Sequence, residues 1–117
     1  MVVPVSRLPE LIARLREIAK RFSIPVVNFG HAGNGNIHVN LLPRDAAEHA
    51  RAESALPEVF RSVIALGGTL SGEHGIGLAK RDFLVDALDP NALALMRRIK
   101  AQFDPDGILN PGKLLPP

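Results

Sequence analysis

The spacing of apolar residues changes along the first half of the chain, and each spacing predicts a different element. Leu8, Leu11, Leu15, Ile18 and Phe22 recur at steps of three and four residues, the period of one helix face, with Pro9 in the first turn. Residues 2–5, 26–29 and 37–42 are short, Val-rich or alternating segments typical of strands. The first half therefore predicts a strand, an amphipathic helix and two further strands.

The second half continues this alternation. A helix is predicted to begin at the N-cap Asp45 and to end at Gly67-Gly68, with Pro57 splitting or kinking it. Residues 69–71 predict a short strand, residues 79–88 a helical segment, and Asp89-Pro90 the start of a helix that runs to Phe103. The order β-α-β-β-α-β predicts an α+β fold, a ferredoxin-like antiparallel sheet with helices on one face plus additional C-terminal helices.

Composition narrows the class of protein. The chain has 117 residues, 46% hydrophobic and 22% charged, and we expect one globular domain over residues 1–117. No apolar run approaches the roughly 18 residues of a membrane span, and nothing resembles a secretory leader, so we expect a cytoplasmic protein. A net charge of +2, no Trp or Tyr and five Phe argue against nucleic-acid binding.

Histidines flank an Asn-Gly pair in the middle of the chain. Asn34-Gly35 between two extended segments predicts a type I′ hairpin turn, which would place His31 directly opposite His38. Their Cβ atoms would then lie roughly 4.5 to 5.5 Å apart on one face of the ribbon. Two imidazoles in that position can share one metal ion.

A carboxylate and another imidazole lie in a second glycine-rich segment, residues 71–77. Glu73 could join His31 and His38 in a His₂Glu set, which leaves coordination positions open, as catalytic metal sites do. The chain has no cysteine, so histidine, carboxylate and water are the only ligands, and zinc is the first choice before manganese or iron. His74, beside Glu73, is placed to act as a base. The alternative also stands: a histidine pair across a hairpin, a surface acid and turn glycines, with no metal.

Three ordered motifs carry a resemblance to a known family. They are Gly30-His31-Ala32-Gly33-Asn34-Gly35-Asn36-Ile37-His38, the segment from Gly67-Gly68-Thr69 through Gly72-Glu73-His74-Gly75 to Gly77, and Phe103-Asp104-Pro105-Asp106-Gly107-Ile108-Leu109-Asn110-Pro111-Gly112-Lys113. Together they closely resemble the C-terminal cap domain of FAD-linked oxidases. This family includes the flavin subunit of glycolate oxidase, D-lactate dehydrogenase and D-2-hydroxyglutarate dehydrogenase.

The resemblance implies an FAD-dependent oxidation of a small 2-hydroxy acid to a 2-oxo acid, with hydride transfer to flavin. It implies that His31, His38 and Glu73 bind the metal and that His74 is the base at the substrate α-carbon. It also implies that Asn110 approaches the flavin, and it suggests Arg7 for the substrate carboxylate.

The resemblance further implies that the chain is the C-terminal portion of a larger enzyme, because relatives carry an FAD-binding domain that is absent here. We expect the chain alone to bind no FAD tightly and to be inactive; flavin absorbance in the purified protein would contradict this. The partner would be an FAD-binding domain or subunit, and exposed apolar surface could drive homo-oligomer formation. Two alternatives are a stand-alone metal-assisted hydrolase or lyase and a non-enzymatic module that docks on a flavoprotein.

Overall fold

The fold combines helices with a small antiparallel sheet, which confirms the α+β class. The computed structural model describes all 117 residues in two compact units, Met1–Glu73 and His74–Pro117. The elements are helices α1 (Leu8–Phe22), α2 (Ala46–Ala65), α3 (Leu84–Ala87) and α4 (Pro90–Phe103), and strands β1 (Val26–His31) and β2 (Asn36–Leu41). Short 3₁₀ turns cover Val5–Arg7, Ala32–Asn34 and Arg81–Phe83. None of the helices has the length and apolar character needed to cross a membrane.

The first unit has the predicted β-α-β-β-α-β order along the chain. The first and last of these strands, however, are reduced to single bridged residues, Val2 and Thr69. Val2 forms antiparallel bridges to Asn36 on one side and to Thr69 on the other. The residues therefore lie side by side in the order Thr69, Val2, β2, β1, with neighbours antiparallel. The bridge to Val2 therefore places Thr69 near the hairpin reversal. The residues that follow Thr69 begin close to β2.

The predicted strand over residues 2–5 is wrong in its extent. Val2 exchanges backbone hydrogen bonds with Thr69, and the Val3 N–H donates to the Gly35 carbonyl at 3.1 Å. Pro4 follows and has no N–H to continue a ladder, and a 3₁₀ turn begins at Val5. The sheet contribution of this segment therefore ends before Pro4.

The hairpin has a different register from the predicted one. Phe29 lies opposite His38, and His31 lies opposite Asn36. The prediction that His31 directly opposes His38 is therefore wrong. The two registers differ by two residues, and because side chains alternate with a period of two, His31 and His38 still share one face of the ribbon.

The hairpin reversal uses four residues, 32–35, rather than two. The Gly35 N–H donates to the Ala32 carbonyl at 3.2 Å, and Gly35 has a φ of +75°. Asn34 does not have the positive φ that a type I′ turn requires of both central residues. Its Oδ1 instead accepts a 3.2 Å hydrogen bond from the Asn36 N–H, so the asparagine stabilises a different turn.

The core of the first unit lies between the two helices and one face of the hairpin. Helices α1 and α2 pack against each other, and Val39 and Leu41 pack against their buried face from β2. This confirms helices on one sheet face, with the histidines on the other. The buried core residues are Val3, Leu11, Leu15, Ile18, Ile24, Ala52, Ala55, Val59, Val63 and Leu66.

Helix α2 begins as predicted but is not split at Pro57. The Asp45 side chain accepts a hydrogen bond from the Glu48 N–H at 2.8 Å, which confirms it as the N-cap. Gly67, with a φ of +71°, follows the C-cap Leu66. Pro57 lies inside a continuous helix, where buried Val59 and Val63 anchor the following turns in the core.

The Glu48 carboxylate is buried at the start of α2. Its Oε2 accepts the Arg44 backbone N–H at 2.8 Å, and the Arg44 guanidinium donates to both of its oxygens. These hydrogen bonds outweigh the cost of burial and lower the pKa of Glu48 from its ordinary 4.5 to about 2.

We expect this carboxylate to make stability depend on pH in the acid range. Since its pKa is lower in the folded state, its contribution is complete above pH 4.5 and is lost as the pH falls toward 2. Glu48→Gln should lower the Tm at pH 7 by roughly 5 °C, and the difference from wild type should shrink through that window. Thermal unfolding of both proteins between pH 7 and pH 2.5 measures this. A Tm difference that is constant with pH would contradict the assignment.

In the second unit, the segment before residue 89 is less helical than predicted. The helix after residue 89 is as predicted. The helical segment expected over residues 79–88 is a 3₁₀ turn, Arg81–Phe83, followed by the four-residue α3. Helix α4 begins after the N-cap Asp89, whose side chain accepts a 2.8 Å hydrogen bond from the Asn91 N–H. Before the 3₁₀ turn, the Gly77 carbonyl accepts hydrogen bonds from the N–H groups of Lys80 and Arg81. These bonds form a tight turn in place of the first part of the predicted helix.

Candidate functional site

The outer face of the hairpin presents the candidate site. His31 and His38 project from this face, and the shift in register places them diagonally rather than directly across from each other. His31 is exposed, whereas the His38 side chain is 23% exposed. The Phe29 ring stacks on the His38 ring, with centroids 5.1 Å apart and planes 23° from parallel.

A second segment reaches this face because Gly72 has no side chain. A Cβ on Gly72 would lie 2.5 Å from Val2 Cγ2 and 2.6 Å from Asn36 Oδ1, well inside van der Waals contact. The backbone therefore passes directly over the bridge between Val2 and Asn36. The next residue is Glu73, which is thereby delivered to the histidine face.

Glu73 and His38 make the central contact of the site. His38 Nε2 lies 3.0 Å from Glu73 Oε1, and the Glu73 side chain is 45% exposed. A 3.0 Å separation matches either a direct hydrogen bond or two ligands that share an ion, since donors about 2.1 Å from one zinc lie roughly 3 to 4 Å apart. The residues present therefore fit a divalent metal ion.

The structure groups three donors, and they are not the predicted three. One ligand atom from each of His38, Glu73 and His74 lies within 4.8 Å of the other two. His74 follows Glu73 in the chain and takes the place in this group that the sequence assigned to His31. His31 stays on the same hairpin face as His38 but is not a member of the group.

The other two predicted site residues have defined surroundings of their own. Arg7 precedes α1, where its guanidinium donates to Glu10 at 2.9 Å. Hydrogen bonds from Arg14 and from Arg7 lower the pKa of the Glu10 carboxyl. Asn110 is exposed in the loop after α4 and adopts a left-handed backbone with a φ of +45°.

The loop that carries Asn110 is held by a buried carboxylate. Asp104 accepts the backbone N–H groups of Ile108 at 2.9 Å and Leu109 at 3.0 Å, and the Lys100 ammonium donates to it. The Lys100 hydrogen bond, followed by the backbone ones, lowers the pKa of Asp104 against the cost of burial. Lys100 also donates to the Leu109 carbonyl at 2.7 Å. Both the N–H and the carbonyl of Leu109 are therefore hydrogen-bonded to side chains at the end of α4.

Sequence reasoning missed two residues of the site. Phe29 would have been found from the correct register, because it then lies opposite His38. Gly72 has no sequence signal of its own, because the sequence does not show that this segment crosses the Val2–Asn36 bridge.

Comparison with known proteins matches nearly the whole chain to one family. The sequence model of the family described as "FAD linked oxidases, C-terminal domain" matches residues 1–114. Glycolate oxidase subunit GlcD of Bacillus subtilis (strain 168) is 40% identical over 114 residues, which are 96% of this chain and 24% of that protein. A probable mitochondrial D-lactate dehydrogenase of Danio rerio is 40% identical over 117 residues, 97% of this chain and 23% of that protein.

A D-2-hydroxyglutarate dehydrogenase of Stutzerimonas stutzeri (strain A1501) is 36% identical over 118 residues, which are 96% of this chain and 25% of that protein. The chain thus spans about a quarter of the length of the curated relatives that it matches.

Proposed function

Because the chain belongs to the family of FAD-linked oxidases and matches their C-terminal domain, we propose that it is the substrate-side, metal-binding portion of an FAD-dependent 2-hydroxy acid dehydrogenase. The three relatives described above are named for glycolate, D-lactate and D-2-hydroxyglutarate, and all three compounds are 2-hydroxy acids. The proposed reaction oxidises such an acid to the 2-oxo acid. The partner of this chain would be an FAD-binding domain or subunit.

The observation that carries the proposal is the contact between His38 Nε2 and Glu73 Oε1 at 3.0 Å. An ion pair between exposed groups contributes little to stability, typically about 0 to 1 kcal/mol. The close approach of Gly72 to Val2 and Asn36 constrains the backbone to bring Glu73 to this position. A constrained loop that presents one carboxylate to one imidazole is better explained by a shared ligand than by a gain in stability.

We assign His38, Glu73 and His31 to the metal ion, with zinc as first choice and manganese or iron as alternatives. His31 shares the hairpin face with His38 at a diagonal position, a relation in which long side chains can reach each other. When bound, the ion would supply the Lewis-acid charge that lowers the pKa of a substrate hydroxyl. The flavin would supply the hydride acceptor.

The residues of this chain would orient the substrate and move one proton. His74 is covalently next to Glu73, so its imidazole is held beside the position of the ion and can take the α-hydroxyl proton when neutral. Arg7 is the candidate partner of the substrate carboxylate, for which it would have to leave Glu10. Asn110 would face the flavin from its fixed loop.

The two histidine roles can be separated by zinc titration of chelator-treated protein. We expect His31→Ala to lower zinc affinity by roughly tenfold or more, because it removes a ligand. His74→Ala should change the affinity by less than about threefold, because it removes a proton acceptor. The reverse order would contradict the assignment and would make His74, already within 4.8 Å of the other donors, the ligand.

A further inference from the structure

We propose that Phe29 is a positioning residue that fixes the plane of the His38 imidazole toward Glu73. The inference rests on the proposed function of His38 as a ligand. It goes beyond that function by identifying the side chain that orients the His38 imidazole.

Phe29 lies directly opposite His38 in the hairpin, and the two rings stack with centroids 5.1 Å apart. Despite this contact, Phe29 is 58% exposed, whereas the His38 side chain is 23% exposed. Phe29 is therefore not a core residue, and its ring covers one face of the partly buried imidazole. Burial alone gives little reason for a large aromatic side chain at this position.

The geometry of a histidine ligand explains the aromatic side chain. The lone pair of an imidazole nitrogen lies in the ring plane, so the plane determines the direction in which an ion can sit. Rotation about the last torsion of histidine is broad, and a strand residue by itself does not fix that plane. A ring stacked 23° from parallel restricts the plane, and the Glu73 carboxylate at 3.0 Å selects the Nε2 edge. The two contacts together favour one orientation of the His38 ring.

Three variants test this role. Phe29→Leu keeps an apolar side chain but removes the ring, and Phe29→Tyr keeps the ring with its hydroxyl in solvent. Val27→Ala is the matched control, because Val27 lies on the same face, is 47% exposed and pairs with Asn40 instead of His38. We expect Phe29→Leu to bind zinc roughly 2- to 12-fold more weakly than wild type, and we expect Phe29→Tyr and Val27→Ala to match wild type.

A second readout does not depend on metal. In metal-free wild type at a pH where His38 is neutral, side-chain nitrogen NMR should show mainly the tautomer with the proton on Nε2, facing Glu73. Phe29→Leu should show a mixture of tautomers, while Phe29→Tyr restores the wild-type spectrum. If wild type binds no zinc, the proposed function fails, whereas this spectrum still tests Phe29. A wild-type spectrum and wild-type affinity in Phe29→Leu would overturn the inference, as would a Phe29→Tyr protein that behaves like Phe29→Leu.

Discussion

Glu73→Gln is expected to lower the zinc affinity of the chain by more than about 100-fold without unfolding it. Loss of an outer-shell partner of a metal ligand already costs about 10- to 100-fold, and this change replaces the only carboxylate in the donor group by a neutral amide. The Glu73 side chain is 45% exposed, so the substitution leaves no buried charge unpaired and should shift stability by no more than about 0.5 kcal/mol. Calorimetric zinc titration and thermal unfolding measure the two effects separately.

Glu53→Gln is the matched control for charge. Glu53 is an exposed glutamate on α2, outside the donor group, and its substitution changes the net charge by the same amount. We expect Glu53→Gln to bind zinc like wild type. A Glu73→Gln protein with an affinity within threefold of wild type would contradict the site and would favour a non-enzymatic docking module.

Gly72→Ala is expected to weaken zinc binding by roughly tenfold or more through geometry alone. The added methyl would meet the side-chain atoms Val2 Cγ2 at 2.5 Å and Asn36 Oδ1 at 2.6 Å, and Asn36 is only 5% exposed, so its side chain has little room to give way. The segment must therefore lift away from the hairpin and carry Glu73 with it. Misplacement of a reacting group by about 1 Å can lower a reaction rate by as much as 100-fold, and we expect a metal ligand to be similarly sensitive to its position. Zinc titration well below the Tm of the variant measures this loss.

Gly77→Ala provides a control in the same glycine-rich segment. A Cβ on Gly77 would meet nothing within 4 Å, and Gly77 does not have the left-handed backbone of Gly75. Its affinity should stay within about twofold of wild type. Equal losses in Gly72→Ala and Gly77→Ala would show that loop flexibility, rather than close approach at Gly72, controls the site.

Local patterns in the sequence were sufficient to predict the helices of the first unit. The stripe from Leu8 to Phe22 and the Asp45 cap each depend on contacts within a few residues, and the structure confirms both. The structure shows no split at Pro57, although the local cost of proline predicts a split or a kink from the sequence. The burial of Val59 and Val63 that keeps the helix continuous is not visible there.

The errors at the site come from non-local geometry. Asn-Gly predicts a type I′ turn, but the hydrogen bond from Asn36 to the Asn34 side chain stabilises a four-residue reversal and moves the register by two. The predicted and observed registers differ by two residues, an even number, so His31 and His38 lie on one face of the hairpin in both. The position of Glu73 depends on one bridged residue, Thr69, and on close packing at Gly72, neither of which has a periodic signal.

The zinc K-edge absorption spectrum of the zinc-loaded wild-type chain tests the central claim most directly. We expect one zinc per chain, with nitrogen and oxygen ligands at roughly 2.0 to 2.2 Å and the scattering pattern of two imidazoles. Failure to retain zinc after chelator treatment and reloading would contradict it, and so would a shell without imidazole.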